Sequence, residues 1–161
     1  MLSRPPLHYL HDRYYNTGMA KTSQLLNASV SPRLPAQDLA RARKFYAEKL
    51  GFEPFEERPG GLKYQCRDGT FVLFESSGAS DGSFTQMAFQ VDDIEAAVAE
   101  LQAHGLKFEE YDEPGLKTVN CIADVEGNYP STNSSGERAA WFYDSEGNLL
   151  AIGQSAAASA K

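Results

Sequence analysis

Two stretches of the chain share one pattern of apolar and polar positions, although their residues differ. Residues 35–52 and 91–108 each run from extended residues through an aspartate into a segment with apolar residues at helical spacing. Each therefore predicts an amphipathic helix that opens on a capping carboxylate and closes at a glycine. The caps and glycines are Asp38 and Gly51 in the first stretch, and Asp92 or Asp93 and Gly105 in the second.

Short strand candidates surround each predicted helix. One extended segment precedes the first helix, one follows each helix, and two apolar runs joined by a turn come later in each half. The turns hold Asp68-Gly69 and residues 144–148, where glycine supplies the positive φ that a hairpin needs. The order strand, helix, strand, strand, strand is thus used twice, which predicts an α+β fold. The candidates are residues 26–34, 52–55, 62–75, 106–110 and 139–154.

The repeat predicts one domain with an extension at each end. We expect a mobile N-terminal arm, a single domain of two βαβββ modules joined by a Gly- and Ser-rich linker, and a short tail. The second module carries an insertion that begins with a strand-like run, residues 117–125, and ends in a Gly- and Ser-rich loop suited to act as a lid. The predicted boundaries are 1–24 for the arm, 25–155 for the domain, 26–76 and 84–155 for the modules, 76–83 for the linker, 111–137 for the insertion and 156–161 for the tail.

Composition limits the partners and the compartment. The 15 Lys and Arg against 22 Asp and Glu give a net charge of −7, which argues against nucleic acid or an anionic membrane as partner. We find no membrane-length apolar run and no secretory signal, so we expect a cytoplasmic protein. Cys66 and Cys121 form no C-x-x-C pair and predict small buried thiols, with a reactive thiol as the alternative.

Two local motifs support a family resemblance. A D-L-x-R-A-x-x-F-Y helix at 38–46 and a D-x-E-G-N-x-L strand pair at 144–150 lie within the duplicated modules. Together with the duplication, they resemble the vicinal oxygen chelate superfamily of glyoxalase I, bleomycin-resistance proteins, fosfomycin-resistance enzymes and extradiol dioxygenases, over roughly residues 26 to 155. The resemblance implies two half-barrels that enclose a cavity. It also implies that an enzyme's metal is held there by one residue from the first and one from the last strand of each module.

The four metal positions that the resemblance implies fall on Ser31, Leu73, Gln86 and Ala151. Only Gln86 is a suitable ligand, because Ser31 is a weak donor and the other two have no donor atom. Glu75 is the only carboxylate that a register slip of two would bring toward Gln86. We therefore expect no metal and no cofactor, with Gln86 and Glu75 as the only metal candidates. The three histidines, His8, His11 and His104, lie outside the predicted strands.

Alternation along the strands predicts which other side chains face the cavity. Arg33 is the proposed anchor for a carboxylate or planar anion, and its alternatives are a surface arginine or a partner of Glu75. Trp141 is placed to stack on a flat ligand, with packing against a helix as its alternative. The predicted ligand-binding set is Ser31, Arg33, Leu73, Glu75, Gln86, Trp141 and Ala151.

Three functions fit this sequence. The first is a metal-free protein, similar to the bleomycin-resistance branch, that binds a small molecule between the modules. The second is a metal-dependent lyase, isomerase or dioxygenase with relocated ligands from Glu75, Gln86 and either Asp124 or Glu126. The third is a structural or regulatory dimer whose cavity is filled by side chains. A homodimer is expected in each case, because proline-bearing first strands leave sheet edges to cover.

Overall fold

The structure of the chain is a computed structural model, and it describes residues 23–127 and 135–156. Predictions for residues 1–22, including His8 and His11, for 128–134 of the insertion and for 157–161 lie outside the described residues. The chain forms two compact units, Met1–Val30 and Ser31–Lys161. In the first unit, Gln24–Asn27 form a turn of 3-10 helix, where the sequence predicted the start of a strand.

The first module contains a four-stranded sheet with one helix. β1 runs parallel to β4, and the remaining neighbours are antiparallel, in the order β1-β4-β3-β2. The predicted hairpin around Asp68-Gly69 is confirmed, since it joins β3 to β4. The elements are β1 (Arg33–Ala36), α1 (Leu39–Leu50), β2 (Glu56–Arg58), β3 (Gly61–Gln65) and β4 (Thr70–Glu75).

The second module repeats this plan with an enlarged sheet. Its first strand, β5, is again parallel to the last, β10, and the order is β5-β10-β9-β8-β7-β6. This repetition confirms the α+β fold of two related modules. The elements are β5 (Met87–Gln90), α2 (Ile94–Ala103), β6 (Asp112–Glu113), β7 (Leu116–Val119), β8 (Ile122–Glu126), β9 (Gly136–Tyr143) and β10 (Leu149–Ser155).

The insertion contributes strands to this second sheet. The strand-like run predicted at 117–125 is two strands, β7 and β8, which pair as a hairpin. Its turn is Asn120-Cys121, with φ of 53° and 67°. Positive φ at both central residues is the requirement of a type I′ turn, in which glycine is the usual second residue. Because position 121 holds cysteine, the sequence pattern did not indicate a turn there.

Both helix starts and both glycine stops are confirmed. Asp38 accepts a hydrogen bond from the Arg41 amide, and Asp93 accepts one from the Ala96 amide, each at 2.9 Å. Gly51 and Gly105 have φ of 72° and 78°, the left-handed conformation that ends a helix. No helix in the described part of the chain has the length and apolarity to cross a membrane.

The segments after the two helices were predicted as strands at 52–55 and 106–110, and both predictions were wrong. In the first module the strand begins later, at Glu56. Phe52 instead packs its ring against Phe71 and Phe89, with centroids 5.8 and 5.6 Å away. In the second module, Leu106 and Phe108 are buried in the core without forming a strand. The apolar residues of these segments are there because they pack in the core, and a residue can do so without hydrogen bonding to a neighbouring strand.

Each sheet packs one face against its helix. In the first module Tyr46 of α1 stacks on Tyr64, and in the second Ile94 and Val98 of α2 share a core with Phe142. Phe89 of β5 contacts Phe71, so the two helix-side cores are continuous. We call the opposite surface of each sheet its open face. By strand register, the open face carries Arg33, Pro35, Lys63, Val72 and Phe74 in the first sheet, and Ala88, Gln90, Glu137, Ala139, Trp141, Tyr143, Leu149, Ala151 and Gly153 in the second.

Candidate functional site

The open face of the second sheet has a floor of small residues. Ala151 of β10 lies between its cross-strand partners, Ala88 of β5 and Trp141 of β9. Gly153 pairs with Ala139 in the same way. Paired residues project to one side of a sheet, so three alanines and a glycine lie side by side here. We call these four residues, Ala88, Ala139, Ala151 and Gly153, the small-residue floor.

Aromatic side chains border this floor. Trp141 donates from its indole nitrogen to the Thr85 hydroxyl at 3.2 Å, and its ring meets Tyr111 edge to face at 5.5 Å. Tyr143 donates to the Gly82 carbonyl at 3.2 Å. The alternative that Trp141 packs against a helix is therefore wrong. Tyr111 was not predicted, because nothing in the sequence indicates that the start of the insertion returns to β9.

Polar side chains also border the floor. The Gln86 side-chain oxygen accepts a hydrogen bond from the Ser80 hydroxyl at 2.6 Å, so the linker helps to orient it. Gln90 donates to Glu137 at 2.8 Å. A Cβ at Gly153 would collide with the Glu137 carboxylate, so glycine leaves room for this pair to lie across the strand. The border thus presents amides and a carboxylate.

The structure places only part of the predicted ligand-binding set on this face. Trp141 and Ala151 lie on it, and Gln86 lies at its edge, directly before β5. Arg33 is exposed on the open face of the first sheet, opposite Val72, and the Ser31 hydroxyl just before β1 donates to the Thr70 carbonyl at 3.3 Å. Among the described residues, no hydrogen bond, ion pair or ring contact joins the open-face side chains of the first sheet to those of the second.

The predicted facing of Leu73 and Glu75 needs correction. Leu73 is fully buried in the helix-side core, and Glu75 lies exposed at the end of β4 on the same side as Leu73. The reason is the register, because Arg33 pairs with Val72 just as Ala88 pairs with Ala151. Counting from Gly69 misplaced the strand by one residue, and one residue reverses the face. Val72 is thus the position equivalent to Ala151.

The metal site that the fold implies can be tested on these corrected positions. Ser31, Val72, Gln86 and Ala151 offer one hydroxyl and one amide, and both groups already have partners within the chain. Within residues 23–127 and 135–156, no three His, Cys, Asp or Glu side chains come together in a geometry that holds a metal. Asp124, a candidate for relocation, lies instead beside Arg138 at 3.5 Å. These residues do not fit the divalent-metal site of the superfamily.

A buried carboxylate lies at the start of α1. Glu146, whose side chain is 0% exposed, accepts hydrogen bonds from the amides of Gln37 and Asp38 at 2.9 and 3.1 Å. Arg41 donates to both of its oxygens, at 2.9 and 3.0 Å. Burial by itself raises the pKa of Glu146, but the hydrogen bonds from Arg41, Asp38, Ser145 and Gln37 together hold it below its usual value.

The neighbouring carboxylate, Asp144, holds the turn together. It accepts hydrogen bonds from the amides of Glu146 and Asn148, from the Asn148 side chain, and from the Tyr46 hydroxyl at 3.0 Å. Burial raises the pKa of Asp144, and it raises that of Tyr46 well above its usual value. Residues 144–148, which we call the joint, therefore attach the second module to α1 of the first. The sequence indicated only a turn.

The two cysteines are free and half-buried. Burial raises the pKa of both thiols, and for Cys121 the nearby Glu110 carboxylate adds to the effect. A raised pKa reduces the thiolate fraction and with it nucleophilicity. The reactive-thiol alternative is therefore not supported.

Comparison with known proteins agrees with this architecture. The family model described as the Glyoxalase/Bleomycin resistance protein/Dioxygenase superfamily matches residues 28–152. The chain belongs to this superfamily. No curated protein matches the sequence.

Several solved structures share the fold of this chain at low sequence identity. A glyoxalase/bleomycin resistance protein/dioxygenase from Alicyclobacillus acidocaldarius is 16% identical, with a TM-score of 0.59 over 80% of this chain and 92% of that one. TnmS3, an antibiotic binding protein from Streptomyces sp. CB03234, is 22% identical. Its TM-score is 0.53, and the match covers 80% of this chain and 98% of TnmS3. A bleomycin-binding protein in complex with bleomycin is 22% identical, with a TM-score of 0.55 over 80% and 99%.

Proposed function

We propose that this glyoxalase-superfamily protein binds a small, flat molecule over the small-residue floor of the second sheet, without a metal ion. The observation that carries the proposal is the combination of that floor with the aromatic border of Trp141 and Tyr111. Ala88 is exposed and the neighbouring floor residues add little side-chain bulk above the strands, although the Glu137 carboxylate lies across Gly153. The indole of Trp141 at the edge offers a ring to stack on. Pockets of this kind bind ligands by apolar contact, with a few polar groups that fix orientation.

The polar groups around the floor define the rest of the ligand. Gln86 and Gln90 present amides, and Glu137 presents a carboxylate that would accept from a cationic or N–H group. Arg33, on the open face of the first sheet, stays our proposed anchor for an anionic group at the far end of the molecule. The insertion begins at Tyr111 beside Trp141, and its Gly- and Ser-rich end is the proposed lid.

Two structures with this fold support capture of a small molecule. One is described as an antibiotic binding protein and the other as a bleomycin-binding protein. The donor groups of this chain favour capture over the metal-dependent chemistry that other members of the superfamily perform, since Val72 and Ala151 have no donor atoms. We accordingly expect EDTA to leave the melting temperature unchanged, because removal of a stabilising ion would lower it.

The test fills the proposed site. Ala88 is exposed on the floor opposite Ala151, so Ala88→Phe adds a ring there without entering the core. Flat aromatic acids and antibiotics are titrated while the emission of Trp141, the only tryptophan, is recorded. We expect hits of the wild type to lose at least tenfold in affinity in Ala88→Phe, whereas Ala99→Phe, on the exposed side of α2, leaves them unchanged.

Arg33→Ala tests the anchor in the same titration. Loss of the guanidinium leaves the anionic end of the ligand unpaired, at about 1 to 3 kcal/mol. A ligand that binds Ala88→Phe as tightly as the wild type, and does not change Trp141 emission, would show that the site lies elsewhere.

We also propose a homodimer. Among the described strands, each sheet has two edges, β1 and β2 in the first sheet and β5 and β6 in the second. Phe55, Phe84 and Val119 are 53%, 65% and 66% exposed, so these large apolar side chains are available for burial by a second subunit. Light scattering at micromolar concentration should give twice the mass of the 17.7 kDa chain, and a monomer mass would contradict the proposal.

A further inference from the structure

Two side chains of β9 cross the middle strand of the small-residue floor. The strand order places β10 between β9 and β5. The indole nitrogen of Trp141, on β9, donates to the hydroxyl of Thr85, which lies just before β5. Glu137, also on β9, accepts a hydrogen bond from Gln90 of β5. Each of these side chains therefore passes over β10 to reach its partner. The second crossing lies at Gly153, since a Cβ there would collide with the Glu137 carboxylate.

The two crossings leave a space between them. Ala151 of β10 pairs with both Ala88 and Trp141, so these residues form one row across the three strands. Ala88 is exposed and lies two residues before Gln90, about 7 Å along the strand. We call the space above Ala88 and Ala151, between the indole and the Glu137 carboxylate, the slot. One of its walls is aromatic and the other is polar.

The carboxylate in the polar wall has no cationic partner. Gln90 is the one side-chain partner of Glu137, and within residues 23–127 and 135–156 no Lys, Arg or His forms an ion pair with it. Arg138, the next residue along β9, projects to the other face of the sheet, where it pairs with Glu95 and Asp124. The neutral amide of Gln90 orients the carboxylate without neutralising its charge. The slot therefore favours a positively charged group, and the net charge of −7 adds to that attraction.

We propose that the ligand of the second sheet is an aromatic amine bound in the slot. Its ring lies against the Trp141 indole above Ala88, and its ammonium group donates to Glu137 in a charge-assisted hydrogen bond. The rows of Ala88 and Gln90 are about 7 Å apart, so a short alkyl chain joins ring and nitrogen, as in an arylethylamine. The proposal rests on the function proposed above. It adds a cationic group to the ligand, separate from the anionic group assigned to Arg33.

Phenethylamine is the probe, and phenethyl alcohol, with the same ring and chain, is its neutral counterpart. Both are titrated into the full chain by calorimetry and by Trp141 emission. We expect the amine to bind at least about fivefold more tightly than the alcohol. Glu137→Gln keeps the shape of the side chain without its charge, so it should reduce the affinity for the amine to that for the alcohol. The affinity for the alcohol should not change. Glu100→Gln removes the same charge from the exposed side of α2 and should bind both probes like the wild type.

Gly153→Ala tests the position of the carboxylate and leaves its charge in place. The new Cβ occupies the place of a Glu137 oxygen, so this flexible side chain must move away. Gly153 has no positive φ, so alanine does not strain the backbone there. We expect the amine to lose its advantage over the alcohol, as in Glu137→Gln, while the melting temperature stays close to that of the wild type.

Three results would overturn the inference. One is the absence of amine binding, a second is equal affinity for amine and alcohol in the wild type, and a third is an affinity for the amine that Glu137→Gln leaves unchanged. The function proposed for the floor has its own outcome. If both probes bind equally and both are lost in Ala88→Phe, the floor binds ligands and only the preference for an amine is wrong. Amine binding that persists unchanged in Ala88→Phe would place the amine outside the slot and refute the inference.

Discussion

The two modules place a turn at the same point and use it differently. Arg67 and Glu146 each lie three residues before the last strand of their module, and each reaches the start of the other module's helix. Arg67 lies 3.7 Å from Asp92, and the two side chains are 74% and 92% exposed. Glu146 is fully buried against α1. The duplicated backbone thus places Arg67 and Glu146 at equivalent positions. The side chain at each position determines how strongly the two modules are attached there.

The difference follows from what surrounds each charge. At Arg67 water screens the pair, and an exposed ion pair contributes little to stability. At Glu146 two helix-start amides and a guanidinium converge on one carboxylate, in the place where a helix N-terminus favours negative charge. The pseudo-symmetric molecule therefore has an asymmetric attachment. We expect the attachment at α1 to dominate the stability of the pair of modules.

The largest effect is expected when Glu146 and Arg67, the two turn residues, are each replaced by glutamine. Glu146→Gln keeps the shape but removes the charge that Arg41 and two amides share, and we expect it to lower the free energy of unfolding by roughly 3 kcal/mol. Arg67→Gln should leave it within experimental error. Urea unfolding of both variants measures the contrast. Equal losses would mean that both turns attach their modules equally.

A smaller effect is expected at Tyr46. Its counterpart eight residues after the cap of α2 is Leu101, which has no hydroxyl. Tyr46→Phe removes the donor to Asp144 and should cost about 1 to 2 kcal/mol. The same unfolding measurement applies, with Tyr64→Phe as the control, since that hydroxyl donates to no described residue. If Tyr46→Phe were as stable as the wild type, the Tyr46 hydroxyl would not stabilise the joint.

The smallest effect is a dependence on pH. The folded-state pKa of Glu146 lies below its unfolded value, so its contribution is present above the unfolded pKa and is lost as pH falls through the folded pKa. Asp144, with a raised pKa, acts in the opposite direction and is common to both proteins. The stability difference between the wild type and Glu146→Gln should therefore shrink between about pH 5 and pH 3. A constant difference would show that the charge of Glu146 is not what Arg41 and the amides recognise.

The sequence predicted local structure better than register. Helix starts at Asp38 and Asp93 and the two hairpin turns depend on neighbours along the chain, so short-range patterns were sufficient. The facing of Leu73 depends on which residue of β1 lies opposite it, and an error of one position put Leu73 on the wrong side of the sheet.

The candidate site shows the same limit. Gln86 and Ala151 were predicted from the metal positions that the family resemblance implies, and Trp141 was predicted from alternation within its strand. Tyr111 was missed because it reaches Trp141 only through the fold of the insertion. For the joint, the sequence predicted only a turn. Glu146 contacts the start of α1, which is more than a hundred residues away in sequence, and no local pattern indicates that contact.

That separation in sequence also sets an order of events during synthesis. The amide of Gln37 is translated long before its acceptor, Glu146, which lies 109 residues further on. On the ribosome the nascent helix α1 has its own aspartate cap but not the carboxylate that completes its first turn. Contacts between residues so far apart in sequence form late, because the intervening chain must first be synthesised and become compact. A ribosome that stalls before residue 146 therefore holds a first module whose helix start is still open to water and to chaperones.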